Sequence, residues 1–156
     1  MFDDLLRALE RRLFGRPSAP AETPALAVAV LIAAVGRVGP KRAPVDASVI
    51  AAALGRQLGV AAGPARALAA QAQAVVADEA LALFPYTHAC RAASDYGRRL
   101  TLIDALWRIV LARGEEPHEA AYVDEVASLL GLSREACMAE RWRVLHAADG
   151  APAPGS

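Results

Sequence analysis

Acidic side chains gather at one point of the chain, just after a helix break at Arg113. Glu115, Glu116 and Glu119 follow this break, and Asp46 occupies the comparable place after an earlier one. Carboxylate oxygens are the ligands that hard divalent cations prefer. Negative charge at a helix N-terminus is also stabilised by the helix dipole, by about 0.3–1 kcal/mol, without any ligand. The acids are therefore consistent with a weak cation site, with stabilisation by the helix dipole, or with ion pairing to Arg113.

Arg113 decides between these chemistries. Its guanidinium is permanently charged and only donates hydrogen bonds, so it cannot ligate a cation and repels one strongly at short range. We expect it to pair with Glu115, Glu116 or Glu119, and we expect no metal site and no cofactor. The alternative is a divalent-cation sensor that uses Asp46, Glu115 and Glu119.

Other residues of reactive types are not spaced for catalysis. His118-Glu119 begins like a zinc-protease helix, but Tyr122 stands where the second histidine would be. His88 and Cys90 are two residues apart, which places them on different faces of a helix. No Ser/His/Asp set, phosphate-binding glycine loop or acid/base pair of carboxylates can be placed. The sequence predicts no catalytic residues and a protein that is not an enzyme.

The composition is that of a helical protein of one domain. Of the 156 residues, 55% are apolar but only 5% are aromatic, and alanine and leucine supply most of the apolar residues. Such chains form closely packed helices. The formal net charge is zero, which gives no general attraction to nucleic acid.

The charge is unevenly distributed along the chain. Residues 25–75 carry five basic residues against one acidic residue, a net charge of +4, whereas residues 115–140 carry one basic against seven acidic residues, a net charge of −6. The simpler interpretation is mutual attraction of the halves, or solvated faces. The alternative is a dipolar surface that docks a charged protein partner, or a second copy in a homo-oligomer.

Two cysteines and the N-terminus indicate the compartment. Cys90 and Cys137 are isolated within helical patterns and are predicted to be reduced and half-buried. The first residues are acidic and lack a signal-peptide core. The apolar run over residues 25–35 is too short to span a bilayer, which takes about 20 residues. We expect a cytoplasmic protein.

Helical spacing and breaker residues predict an all-α, single-domain bundle of about seven to eight helices. Residues 1–15 are predicted to form an amphipathic helix, 16–23 a linker, 24–147 the helical domain and 148–156 a disordered tail. Residues 2–14 are expected to pack on the main body, with peripheral membrane contact as the alternative. Within the domain the predicted helices are 24–37, 45–58, 63–78, 79–93 (with a bend at Pro85 as an option), 96–112, 117–130 and 133–146, with Thr23 and Ser94-Asp95 as caps.

The domain reads as two similar helix–loop–helix halves. A helix, a break and a second helix end on Leu58-Gly59-Val60 in one half and on Leu130-Gly131-Leu132 in the other. This spacing indicates an internal duplication. Trp107, at helical spacing with apolar neighbours, is predicted to lie in the core.

These elements resemble the tellurite-resistance protein B (TerB-like) family, over roughly residues 22–146. The motifs that carry the resemblance are Ile103 to Gly114 with its Leu-Trp pair, Leu83-Phe84-Pro85-Tyr86-Thr87, and Leu129-Leu130-Gly131-Leu132-Ser133. The resemblance implies a duplicated helical bundle linked to metal or stress response at the membrane. It also implies two loops with acids suited to a divalent cation.

This chain departs from the family pattern at those acids. The loop aspartate positions hold Val38 and Arg113, the glutamate positions hold Asp46 and Glu119, and the acidic position of the middle motif holds Ala82. The sequence therefore favours a non-catalytic interaction or scaffold module with a protein partner, and the cation sensor remains the alternative.

Overall fold

A computed structural model describes residues 23–41, 43–78 and 80–147. No strand occurs in those ranges, so the predicted all-α bundle is confirmed. The predicted N-terminal helix, the linker up to residue 22 and the tail lie outside the described residues, as do both expectations for residues 2–14, packing on the main body and membrane contact. The elements are α1 (Pro24–Ala33), a 3-10 helix (Ala34–Arg37), α2 (Ala47–Leu58), α3 (Ala62–Val76), α4 (Phe84–Ala93), α5 (Tyr96–Ala112), α6 (Pro117–Leu129) and α7 (Arg134–Ala147).

Helix α1 lies at the centre of the bundle. Eight of its ten residues are buried, because its sequence is apolar on every side. It packs against α2, α3, α4 and α5. Pro24 stands in its first turn, where a missing N–H leaves no bond unmade. Thr23 is the N-cap residue, as predicted, but its side chain makes no cap bond; its carbonyl oxygen accepts from the Ala27 N–H at 3.1 Å.

The chain after the 3-10 helix packs closely against that helix at Gly36. The predicted helix 24–37 is α-helical only to Ala33, and its last turn is the 3-10 helix. A Cβ on Gly36 would lie 2.6 Å from the Ala43 carbonyl oxygen and 2.9 Å from Pro44 Cα. The missing side chain therefore lets this backbone pass directly against the 3-10 helix.

Helix α5 organises the other half by packing against α6 and α7. Trp107 is 1% exposed, which confirms its place in the core, and its Nε1 donates to the Cys137 carbonyl oxygen at 3.1 Å. The Tyr122 hydroxyl donates to the Leu31 carbonyl oxygen at 2.6 Å and ties α6 to α1. Asp95 caps α5 as predicted, since its Oδ1 accepts from the Arg98 N–H at 2.9 Å.

The predictions for the start of α4 and for the burial of the two cysteines were wrong. The predicted helix 79–93 begins only at Phe84, so Pro85 lies in its first turn and does not bend it. A proline is compatible with a first turn because the N–H there has no intrahelical partner. Cys90 and Cys137 are 4% and 1% exposed, and are therefore fully buried rather than half-buried.

The two halves end alike but their loops differ. Gly59 and Gly131 close α2 and α6 with φ of 64° and 79°, the left-handed conformation that glycine adopts without strain. In the loops, Gly114 has φ of 100°, whereas Gly39 is not in the left-handed region. Whether residues 24–60 and 100–132 superpose stays a prediction.

Candidate functional site

The two inter-helix loops meet on one side of the bundle. The first runs over residues 38–46, between the 3-10 helix and α2, and the second over residues 113–116, between α5 and α6. The side chain of Arg113 joins them. We call this contact the loop junction: Arg113, Glu119, and the carbonyl groups of Ala43 and Pro44.

Arg113 is bound on both sides of the loop junction. Its Nε donates to Oε1 of Glu119 at 3.0 Å and its Nη2 to Oε2 at 3.0 Å. The same Nη2 donates to the Ala43 carbonyl oxygen at 2.5 Å, and Nη1 reaches the Pro44 carbonyl oxygen at 3.5 Å. The side chain of Glu119 is only 8% exposed and that of Arg113 23%. The predicted pairing of Arg113 is confirmed, and Glu119 is its partner.

The turn at residues 114–115 directs the side chain of Arg113 towards Glu119. Gly114 and Glu115 both have positive φ, 100° and 55°, and the Glu115 N–H donates to the Val110 carbonyl oxygen at 2.9 Å. The left-handed backbone of Glu115 is unfavourable by roughly 1–2 kcal/mol, since it is not a glycine. Its carboxylate is held by Arg141, whose Nε donates at 2.6 Å and whose guanidinium lies 5.9 Å from the Trp107 ring.

Glu116 starts α6 and contacts the first loop. Its Oε2 accepts from the backbone N–H groups of His118 at 2.9 Å and Glu119 at 3.1 Å. Its Oε1 lies 2.7 Å from Nδ1 of His118, and this bond, with those N–H groups, lowers the pKa of the Glu116 carboxyl. A Cβ on Gly39 would lie 3.1 Å from its Oε2. His118 itself is exposed, with 62% of its side chain accessible.

The three alternative cation ligands have separate surroundings. Glu119 is occupied by Arg113, and Glu115 is occupied by Arg141. Asp46 is exposed at the start of α2, and its side chain makes no cap bond. Across the described residues, no group of three or more His, Cys, Asp or Glu side chains is arranged to hold a metal ion.

The charge imbalance has a definite structural form. Glutamates of the acidic segment 115–140 pair with arginines just outside it, since Glu119 pairs with Arg113, Glu115 with Arg141, and Glu140 with Arg143 at 3.0 Å. The basic side chains of the first half make no ion pair among the described residues. These are Arg37, Lys41, Arg56 and Arg66. Direct ion pairs between the halves, one form of the predicted attraction, do not occur among the described residues, and the basic surface remains unneutralised.

Sequence reasoning missed the backbone part of the loop junction. Carbonyl oxygens of Ala43 and Pro44 carry no residue-specific signal, and they lie about seventy positions from Arg113. Gly36 was the one usable sign, since a glycine at the end of an apolar helix allows close backbone approach.

The geometry defines a class of protein: an all-helical bundle whose helix–loop–helix units meet at their loops. A comparison with protein-family models matches residues 25–141 to the family described as Tellurite resistance protein TerB. The match covers most of the chain, and the chain therefore belongs to this family. Comparisons with curated proteins and with solved structures give no match. In the described part of the chain, no helix has the length and apolar character needed to cross a bilayer.

Proposed function

We propose that this chain is a non-catalytic interaction module of the TerB type, whose two loops are joined by the guanidinium group of Arg113. The observation that carries the proposal is the position of Arg113. Its guanidinium lies between the Glu119 carboxylate at the start of α6 and the carbonyl oxygens of the first loop, at 2.5 to 3.5 Å. Carboxylate and carbonyl oxygens are the kind of ligands that a divalent cation would use.

The ion pair disfavours a metal at the loop junction for two reasons. A divalent cation would have to displace the guanidinium from the Glu119 carboxylate, which is 8% exposed. A displaced guanidinium that stayed nearby would repel the incoming charge, and this repulsion is strong in a site shielded from water. In this proposal the Arg113 ion pair holds the two loops together without a metal ion.

The reactive side chains support a non-catalytic role. Burial raises the pKa of the Cys90 thiol to about 12, and burial with the neighbouring Asp124 raises that of Cys137 to about 12. Burial also raises the pKa of the Tyr122 hydroxyl. All three groups stay protonated at neutral pH, and a protonated thiol is a poor nucleophile. The two free thiols also fit a reducing compartment, and we place the module in the cytoplasm.

The unneutralised basic surface indicates the kind of partner. Lys41, Arg56 and Arg66 are exposed and offer positive charge that no described acid takes up, which suits a protein with an acidic surface. Rim charges of this type steer association and set its salt dependence more than its affinity. The partner is therefore an acidic protein bound in a salt-sensitive way.

Calorimetry and thermal unfolding with calcium, magnesium, manganese and zinc test whether the Arg113 guanidinium stands in place of a metal ion. We expect no response from the parent protein. The double variant Val38→Asp, Arg113→Asp should bind, and ligand at 100 times its Kd would add about 2.7 kcal/mol to the stability. Val49→Asp with Arg108→Asp is the matched control, because it changes the same residue types at exposed positions. Micromolar binding of calcium or magnesium by the parent would show that the proposal is wrong.

Lys41 offers a direct test of the partner, because it is the sole lysine of the chain. A carbodiimide joins a lysine amine to a carboxylate in direct contact. In cells that express the protein, we expect Lys41 to be joined to carboxylates of a partner protein. Lys41→Arg keeps the charge and should abolish this product while leaving co-purification intact. Co-purification that does not weaken with added salt would contradict an acidic partner.

A further inference from the structure

A cavity lies beside the loop junction, behind the backbone that Arg113 holds. Its volume is about 320 Å³, within the range of small-molecule sites, which is about 300–1,000 Å³. It is lined by the 3-10 helix, by Pro44 and Val45 of the first loop, and by the end of α3. Its walls are mainly apolar and include Ala33, Pro44, Val45 and Val76.

Two polar side chains line the otherwise apolar cavity. Arg37 is half-buried and has no hydrogen-bond or ion-pair partner in the described part of the chain. A guanidinium that is partly removed from water without an anion is unfavourable, because burial weakens hydration and nothing replaces it. Gln73 donates from Nε2 to the Val45 carbonyl oxygen at 3.1 Å, which fixes its amide at the cavity wall.

We propose that this cavity binds a small apolar monocarboxylate, with its carboxylate on Arg37 and its hydrocarbon chain between the apolar walls. A planar guanidinium binds a carboxylate through two parallel hydrogen bonds, which gives both strength and orientation. Among the described residues a single cation lines the cavity, so one negative charge is matched and a phosphate dianion is not. This site does not involve the proposed protein partner and needs no metal ion.

The loop junction positions one wall of this cavity. Pro44 lines the cavity, and its carbonyl oxygen and that of Ala43 accept hydrogen bonds from Arg113. Gly36 permits the close contact between that backbone and the 3-10 helix. Removal of Arg113 should therefore loosen the wall and weaken ligand binding, although Arg113 does not line the cavity.

Octanoate is the probe for this proposal, with two matched compounds. Octanamide keeps the chain and loses the charge, whereas acetate keeps the charge and loses the chain. In titration calorimetry we expect octanoate to bind at least tenfold more tightly than either. In NMR titrations the backbone amides that shift should include those of residues 33–37, 45 and 73–77, which contain the lining of the cavity.

Variants separate the cavity from general basic charge. Arg37→Gln should weaken octanoate binding at least tenfold, and Ala77→Leu should weaken it by filling the cavity. Arg56→Gln removes an exposed arginine that does not line the cavity and should leave binding unchanged. Unfolding curves establish that each variant is folded. The proposal is overturned if octanoate does not bind at millimolar concentration, if Arg37→Gln binds it as well as the parent, or if the shifted amides lie elsewhere.

Discussion

Substitution of Arg113 by methionine tests the ion pair that joins the two loops. Methionine keeps much of the length and the apolar stem but removes the guanidinium. The Glu119 carboxylate, only 8% exposed, then loses the donors at 3.0 Å, and the Ala43 carbonyl oxygen loses its donor at 2.5 Å. Removing one partner of a fully buried ion pair costs about 3–5 kcal/mol. Because Arg113 is 23% exposed, we expect a loss of free energy of unfolding near the lower limit, about 3 kcal/mol.

A double-mutant cycle separates the pair from the general effect of each substitution. Urea unfolding gives the free energy of unfolding by linear extrapolation for the parent, Arg113→Met, Glu119→Gln and the double variant. We expect the double variant to lose about 2 kcal/mol less than the sum of the single losses, because the second substitution no longer breaks a contact. Arg108→Met is the control in the same helix. It removes an exposed ion pair with Asp104, and such pairs contribute about 0–1 kcal/mol.

Two results would refute this reasoning. The first is a loss in Arg113→Met that is no larger than the loss in Arg108→Met. The second is a cycle in which the two losses simply add, which would mean that Arg113 and Glu119 do not stabilise each other.

Three further predictions concern packing, an unpaired donor and pH. Gly36→Ala should lower the free energy of unfolding by about 1–3 kcal/mol in urea, because its Cβ would lie 2.6 Å from the Ala43 carbonyl oxygen; an unchanged midpoint would contradict that contact. Gln57→Leu should raise it by about 1 kcal/mol, because the buried Nε2 has no partner among the described residues, and a clear loss would indicate that this amide is hydrogen-bonded in solution. Burial raises the pKa of the Glu140 carboxyl above its ordinary 4.5, so the folded state binds this proton more tightly than the unfolded chain. Stability should fall as pH rises from about 4.5 through the raised pKa. Glu140→Gln should remove this fall, and identical pH profiles in chemical unfolding would contradict the effect.

Much of the fold could be predicted because its signals are local. Helical spacing, a proline in a first turn and a glycine after a last turn act within a few residues. The predicted ends of most helices therefore lie within three residues of the observed ends. The error over 79–93 has the same origin. Alanine-rich sequence has helical character there, but Asp78 forms a turn by accepting from the Ala80 N–H at 2.9 Å, and the helix starts again at Phe84.

Within the candidate site, the sequence determined which groups were available. A permanently charged arginine followed closely by three glutamates had to find a carboxylate, and Arg113 does so. The choice of Glu119 was decided by the fold, because the left-handed turn at Gly114 and Glu115 directs Arg113 towards α6 while Arg141 takes Glu115.

Contacts between distant segments were decided by tertiary structure alone. The carbonyl oxygens that Arg113 binds belong to Ala43 and Pro44, and any residue type could present them there. The cavity beside them is lined by residues that are distant in sequence, so Arg37 and Gln73 come to line the same cavity only in the folded chain. Short-range patterns specify helices because hydrogen bonds within a helix join residues four apart. The placement of a charge or a cavity depends on how the finished helices pack.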